Sequence, residues 1–163
     1  MINTVDPPDV FGSTIFCDDI RQEITGKLFF IGVYRGAMLV NSNFPLTLPR
    51  FCFSISIFQK AEIASSPIAI RIFVPGDSDD SPSIEGQMGE GTEGAFQKSA
   101  ELNSELLGVP HSERAFATAF ANLMFDNFVL KEAGNIKVRA DVNGKRYRLG
   151  SLRISQAPHT PVA

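Results

Sequence analysis

Residues 16–34 read FCDDIRQEITGKLFFIGVY, and two patterns meet in them. In DDIRQEITGK, Ile20 and Ile24 stand four apart among charges, as on one face of a helix. LFFIGVY is aromatic and β-branched, as in a strand. A helix over 18–27 would be short, and Thr25 and Gly26 would weaken its last turn. With period two, Ile20, Gln22 and Ile24 alternate with Asp19, Arg21 and Glu23, the half-wet pattern of a strand near a sheet edge. Two runs of similar length flank Thr25-Gly26, so the stretch is read as a β-hairpin bent there.

The surroundings favour the same reading. In RFCFSISIF, Phe51, Phe53, Ile55 and Ile57 alternate with Cys52, Ser54 and Ser56. In IAIRIFV, Ile68, Ile70, Ile72 and Val74 form one face and Arg71 projects from the other. NIKVRADV sets Ile136, Val138, Ala140 and Val142 against Lys137, Arg139 and Asp141. Asn143-Gly144 follows, the dipeptide suited to the positive φ values of a two-residue turn. In KRYRLGSLRIS, Tyr147 and Leu149 share one phase while Leu152 and Ile154 share the other, which predicts a β-bulge at Gly150-Ser151.

SERAFATAFANLMFDNFVL reads both ways. Phe116, Phe120, Met124 and Phe128 have helical spacing after an N-capping Ser112, yet Phe116, Thr118, Phe120 and Asn122 also alternate with small residues. The β context decides for a strand, with DNFVLKEAG as the connection to the next one. Residues 75–94 hold six acids, no base and many Gly, Ser and Pro, and read as a long mobile loop. The polar stretch KSAELNSELLGVPHSE is the place for a short helix.

Composition sets outer limits. The chain has 163 residues, enough for one domain with a real core, and 44% of them are hydrophobic. With fourteen Phe and no Trp, the large core side chains must be mostly Phe. A formal charge of −3 argues against coating nucleic acid through overall charge. No apolar run reaches the roughly 20 residues that cross a bilayer. MINTVDPPDV has neither the basic nor the apolar region of a secretory signal, so Cys17 and Cys52 are expected buried and reduced.

Two blocks carry a resemblance. FCDDIRQEITGKLFFIGVY followed by FPLTLPRFCFSISI resembles a bacterial family of uncharacterised proteins with the pattern F-A-D-D-V/I-R-x-E, then G-K-x-x-x-I-G-x-Y, then a Leu-Pro segment. The matching residues are Asp18, Asp19, Arg21, Glu23, Gly26, Lys27, Gly32 and Tyr34, with Cys17 where Ala is common. The resemblance spans the first third of the chain and implies a compact β domain and nothing catalytic. EAGNIKVRADVNGKRYRLGSLRIS is similar to the final hairpin of immunoglobulin-like and fibronectin-like sandwiches. The tyrosine corner, core Trp and Cys–Trp–Cys spacing of antibody domains are absent.

Chemistry-bearing patterns are few. His111 and His159 are the two histidines, one in a polar loop and one in a Pro-flanked tail, so no Cys/His or Ser/His nucleophile is expected. Asp77, Asp79 and Asp80 offer hard oxygens for Ca²⁺ but lack the distal Glu of an EF-hand loop, and read better as a solvated loop. Asp18 and Asp19 point to opposite faces of a strand and cannot both chelate. Charge is more telling: residues 131–153 hold seven cations against Glu132 and Asp141, while residues 1–25 hold five acids against Arg21. Lys137 with Arg139, and Arg146 with Arg148, form a basic patch if they share one side of the sheet.

These readings predict a single all-β sandwich over residues 1–163, immunoglobulin-like or C2-like, with a flexible tail at 156–163. The expected role is a non-catalytic cytoplasmic interaction module without cofactor. It would bind a protein partner or a second copy through sheet faces or edges, with Lys137, Arg139, Arg146 and Arg148 as the docking residues. The alternatives are a ligand-binding sandwich, with Ca²⁺ at residues 77–80 or an anion on the Arg146/Arg148 face, and an enzyme for which no catalytic constellation argues. No nucleic acid and no membrane are expected as partners.

Overall fold

The computed structural model describes residues 8–88, 96–98 and 116–158. They form a sandwich-like all-β fold. One sheet has the order β1 (Val10–Cys17), β5 (Leu46–Lys60), β9 (Phe116–Leu130), β8 (Phe96–Lys98). The other has β4 (Ala37–Val40), β11 (Lys145–Gln156), β10 (Gly134–Val142), β6 (Ile68–Phe73), β7 (Ile84–Met88). Neighbours are antiparallel except β4, which runs parallel to β11. A 3₁₀ turn at Ala61–Ile63 leads from β5 towards β6.

The alternating runs do what their period requires. Phe51, Phe53, Ile55 and Ile57 of β5 meet Ile68, Ile70 and Ile72 of β6 and Ile136, Val138 and Ala140 of β10 in one buried cluster. Phenylalanine fills the role of the missing tryptophan. Phe51 lies 5.1 Å from both Phe53 and Phe128, edge-on to the first and stacked on the second. Such pairs add about 0.5–1.5 kcal/mol each beyond their area.

The opening stretch is a hairpin, detached as a small sheet of its own. β2 (Asp19–Gln22) pairs with β3 (Leu28–Ile31), and the turn closes where Glu23 N–H donates to Lys27 O. Its first arm begins later than expected, because Phe16 and Cys17 belong to β1 and pair with β5. Ile20 and Phe30 pack over Cys17 and Cys52, which face one another across β1 and β5. Both cysteines are buried with free thiols, and burial pushes the Cys17 thiol up to about 11.

Residues 112–130 were read as strand followed by a connection from Asp126, and the second half of that reading is corrected. β9 runs on to Leu130, paired with β5 along its length. Strict alternation ends at one point on both strands. Inward positions shift from Phe51 and Phe53 to Leu48 and Leu46 on β5, and from Leu123 and Phe125 to Phe128 and Leu130 on β9. At the switch Asn127, with φ 56°, faces Pro49, which has no N–H to pair.

The acidic loop needs a second correction. Ile84–Met88 inside it form edge strand β7 on β6, with Met88 buried. Ahead of β7 the Asp77 carboxylate accepts from Val74 N–H, Ser83 N–H and the Ser83 hydroxyl, folding residues 74–83 into a compact turn. At the other end Gln156 still belongs to β11, and Ala157 N–H donates to Val40 O, so the tail begins later than expected. The stretch proposed for a short helix lies outside the described residues beyond Lys98.

Asn143 and Gly144 have φ of 49° and 73°, the two-residue turn expected between β10 and β11. Nothing crowds a side chain there, so the cost of Gly144→Val is backbone strain alone, about 1–3 kcal/mol. Chemical denaturation should show that loss; an unchanged midpoint would contradict the turn.

Candidate functional site

β6, β10 and β11 carry the site because their register lines up cations from three strands. Arg71 is the Cα partner of Arg139, and Arg139 is the partner of Arg148. A bulge aims the last of these, at Leu149 rather than at Gly150-Ser151, where the change of phase in the sequence places it. Register slips opposite Val138/Arg139, so Leu149 turns inward and is buried while Arg148 stays outside. Lys137 lies on the same face, facing Phe73 on one side and Ser151 on the other. An open hollow of about 420 Å³ is lined by Phe73, Asp79, Lys137, Arg139, Arg146 and Arg148. Sequence reasoning placed Lys137, Arg139, Arg146 and Arg148 on one patch, and the structure does bring them together.

They are not equivalent. Arg146 forks onto Asp141, with Nε 2.9 Å and Nη2 3.1 Å from its two oxygens, and Nη1 donates to the Asp79 carbonyl. Its guanidinium also lies 5.9 Å from the Phe73 ring centroid. Asp141 lies 3.1 Å from Arg71 Nε, too poorly aligned for a hydrogen bond, and Arg71 reaches Glu85 on β7. Lys137 Nζ lies 3.4 Å from the Asp79 carboxylate. Arg139 and Arg148 have no ion pair among the described residues. Arg139 is half-buried, and its Nη1 donates to the Val138 and Gly150 carbonyls at 2.8 and 3.3 Å. Burial, then the charges of Arg148 and Arg146, lower its pKa.

Asp141 sets a pH dependence on this face. The hydrogen bonds from Arg146 hold the Asp141 carboxyl below its ordinary value, against the opposing effect of burial. A carboxyl depressed in the folded state contributes stability that is complete above its unfolded pKa, about 3.9, and is lost as pH falls through the folded value. Asp141→Asn should therefore flatten the decline of unfolding free energy below about pH 4. An unaltered acid limb in denaturation curves would show that the pair contributes nothing.

Asp77, Asp79 and Asp80 were the candidate Ca²⁺ ligands, and the first two point to different tasks. Asp77 is spent on its own turn, whose hydrogen bonds overcome burial and lower its pKa, and Asp79 reaches across to Lys137. Among the described residues no three His, Cys, Asp or Glu side chains are grouped as metal ligands. His111 and His159 lie outside the described residues.

A second polar network went unseen in the sequence. The Tyr34 hydroxyl donates to the Asp18 carboxylate, which lies over Gly32, and burial and then this bond raise the tyrosine pKa. Asp19 turns the other way, to Arg21 Nε at 3.0 Å and Arg50 Nη1 at 2.9 Å, and Arg50 also holds Asp126 of β9 at 2.7 Å. Asp18 and Asp19 diverge as expected, but by the bend at Asp18 between β1 and β2 rather than by alternation along one strand. The network ties the hairpin to the first sheet. A signal was present: Asp18, Gly32 and Tyr34 all stand in the motif that carried the resemblance, beside a hairpin too exposed to hold itself by burial.

A family model matches residues 12–155. The chain belongs to DUF6941, a family of unknown function. The DUF6941 match takes in both the hairpin network and the arginine row, and it agrees with the expected membership of an uncharacterised family. No curated protein and no solved structure matches the chain. Among the described residues no helix is long and apolar enough to cross a membrane.

Proposed function

We propose that the protein is a non-catalytic recognition module that docks an acidic segment of a protein partner on the outer face of β10 and β11. The observation that carries this reading is the adjacency of Arg139 and Arg148, two cations without an ion pair among the described residues, in a hollow whose other cations are matched. Like charges facing each other across antiparallel strands destabilise a sheet by up to about 1 kcal/mol. A bound acidic group would relieve that repulsion. A merely solvated face accounts less well for Arg139, which is half-buried and tied to backbone carbonyls rather than extended into water.

A second copy supplying residues 77–80 fits poorly, since Asp77 and Asp79 already have partners in their own chain. Charges at such a rim govern encounter and partner choice more than affinity. The test is fluorescence anisotropy with a labelled glutamate-rich peptide across a salt series. Binding should weaken steeply as the Debye length shortens from about 10 Å at 0.1 M to about 3 Å at 1 M. Absence of binding at low salt, or binding indifferent to salt, would overturn the reading.

A further inference from the structure

We propose that the hollow between Arg139 and Arg148 is a phosphoryl-group site, built for a doubly charged phosphate monoester rather than for carboxylates. The inference rests on the docking role of this face and adds the chemical class of the group received.

Charge count comes first. Among the described residues Arg71 is matched by Glu85 and Asp141, Arg146 by Asp141 with Asp80 adding a nearby negative charge, and Lys137 by Asp79, while neither Arg139 nor Arg148 has a carboxylate at ion-pair distance. A phosphate monoester carries about −1.5 to −2 at neutral pH and cancels both, whereas a carboxylate leaves one standing. The loop supplies an internal comparison. Asp79 lines the same hollow, yet its carboxylate goes to Lys137 and not to the arginine pair.

Geometry points the same way. A guanidinium has five N–H donors in a planar fork suited to phosphate oxygens. Arg139 commits Nη1 to two carbonyls of the sheet, which fixes the plane and leaves its other donors without a partner among the described residues. Such anchoring to strands rather than loops is the preorganisation a specific site requires. Arg148 is exposed and unpaired beside it, aimed by the bulge at Leu149. β-Bulges re-aim side chains in this way beside functional sites. Lys137 is 39% exposed and its bond to Asp79 is 3.4 Å, so its flexible amine is free to exchange that weak contact for a third phosphate oxygen.

The experiment titrates the full chain, at fixed ionic strength, with inorganic phosphate, a phosphoserine peptide, the same peptide with glutamate in place of phosphoserine, and a short single-stranded oligonucleotide. Calorimetry and thermal shift are the readouts, since a ligand specific for the folded state raises its melting temperature. The phosphoserine peptide should bind about tenfold more tightly than its glutamate counterpart, which should itself still bind at low salt, and inorganic phosphate should compete with both. Arg148→Gln should remove that preference, while Lys27→Gln in the distant hairpin should leave it. Arg148→Gln carries the test because Arg148 makes no side-chain bond among the described residues, so loss of folding does not confuse the result. Asp79→Asn should tighten phosphate binding by freeing Lys137.

Equal binding of the glutamate and phosphoserine peptides would overturn the phosphoryl assignment and leave the docking reading standing. Binding of neither would overturn both. Tighter binding of the oligonucleotide, whose diesters carry one charge each, would also overturn the assignment.

Discussion

Gly32→Ala is expected to destabilise the protein by about 3 kcal/mol, from left-handed strain at a residue with φ 67° and a polar bond broken next to it. A Cβ at position 32 would lie 1.9 Å from an Asp18 carboxylate oxygen and 2.6 Å from its carbon. The carboxylate would have to swing away, and the partly buried Tyr34 hydroxyl would lose its acceptor. For a chain of this size the loss corresponds to a fall in melting temperature of about 6–12 °C. In an Asp18→Ala background the clash is gone, so Gly32→Ala should then cost only the backbone strain. That shortfall is the coupling energy of a double-mutant cycle. A melting temperature unchanged by the single substitution would mean that the hairpin is not anchored through Asp18.

The consequence for reading such sequences is specific. Strands with unbroken period-two alternation were legible, because burial on one face imposes that pattern whatever the neighbours. β7 was not, since IEGQM sits in an acidic, glycine-rich context and is an edge strand with one paired side. β9 was cut short because the joint change of phase at Pro49 and Asn127 makes its last five residues look like a separate segment. β1 was missed for a related reason: in VFGSTIFC both faces carry apolar residues, with Phe11 stacked outside on Phe58 at 5.0 Å while Phe16 points into the core.

The basic patch was legible as composition but not as an arrangement. Which cation is matched depends on register, and register is a long-range property. Arg71 stands 68 positions before Arg139 and still enters the same row through the β6–β10 pairing. The Asp141–Arg146 fork follows from the tightness of the Asn143-Gly144 turn, which sets those two residues opposite each other. It separates the four cations expected to dock, Lys137, Arg139, Arg146 and Arg148, by tying Arg146 to Asp141. Arg139 and Arg148 are the two of that set without an ion pair among the described residues.

That distinction makes Arg148→Glu the substitution with the largest expected functional effect, and it separates binding from folding. It would set a carboxylate directly opposite Arg139, the cation that lacks one. An opposite-charge cross-strand pair in place of a like-charge pair favours the sheet by about 0.5 kcal/mol, so stability should hold or rise slightly. Binding should respond in the other direction, because the acidic group of the partner would meet a site already neutralised and one carboxylate more negative. A loss of about a hundredfold is expected, equivalent to about 2.7 kcal/mol. Arg146→Glu should do the opposite in the folding assay. It removes the fork on Asp141 and places like charges together beside Asp79, lowering the melting temperature. Thermal denaturation and peptide titration of the two variants side by side decide the matter. If Arg148→Glu binds like the parent at low salt, the row of arginines is a solvated sheet face and nothing docks there.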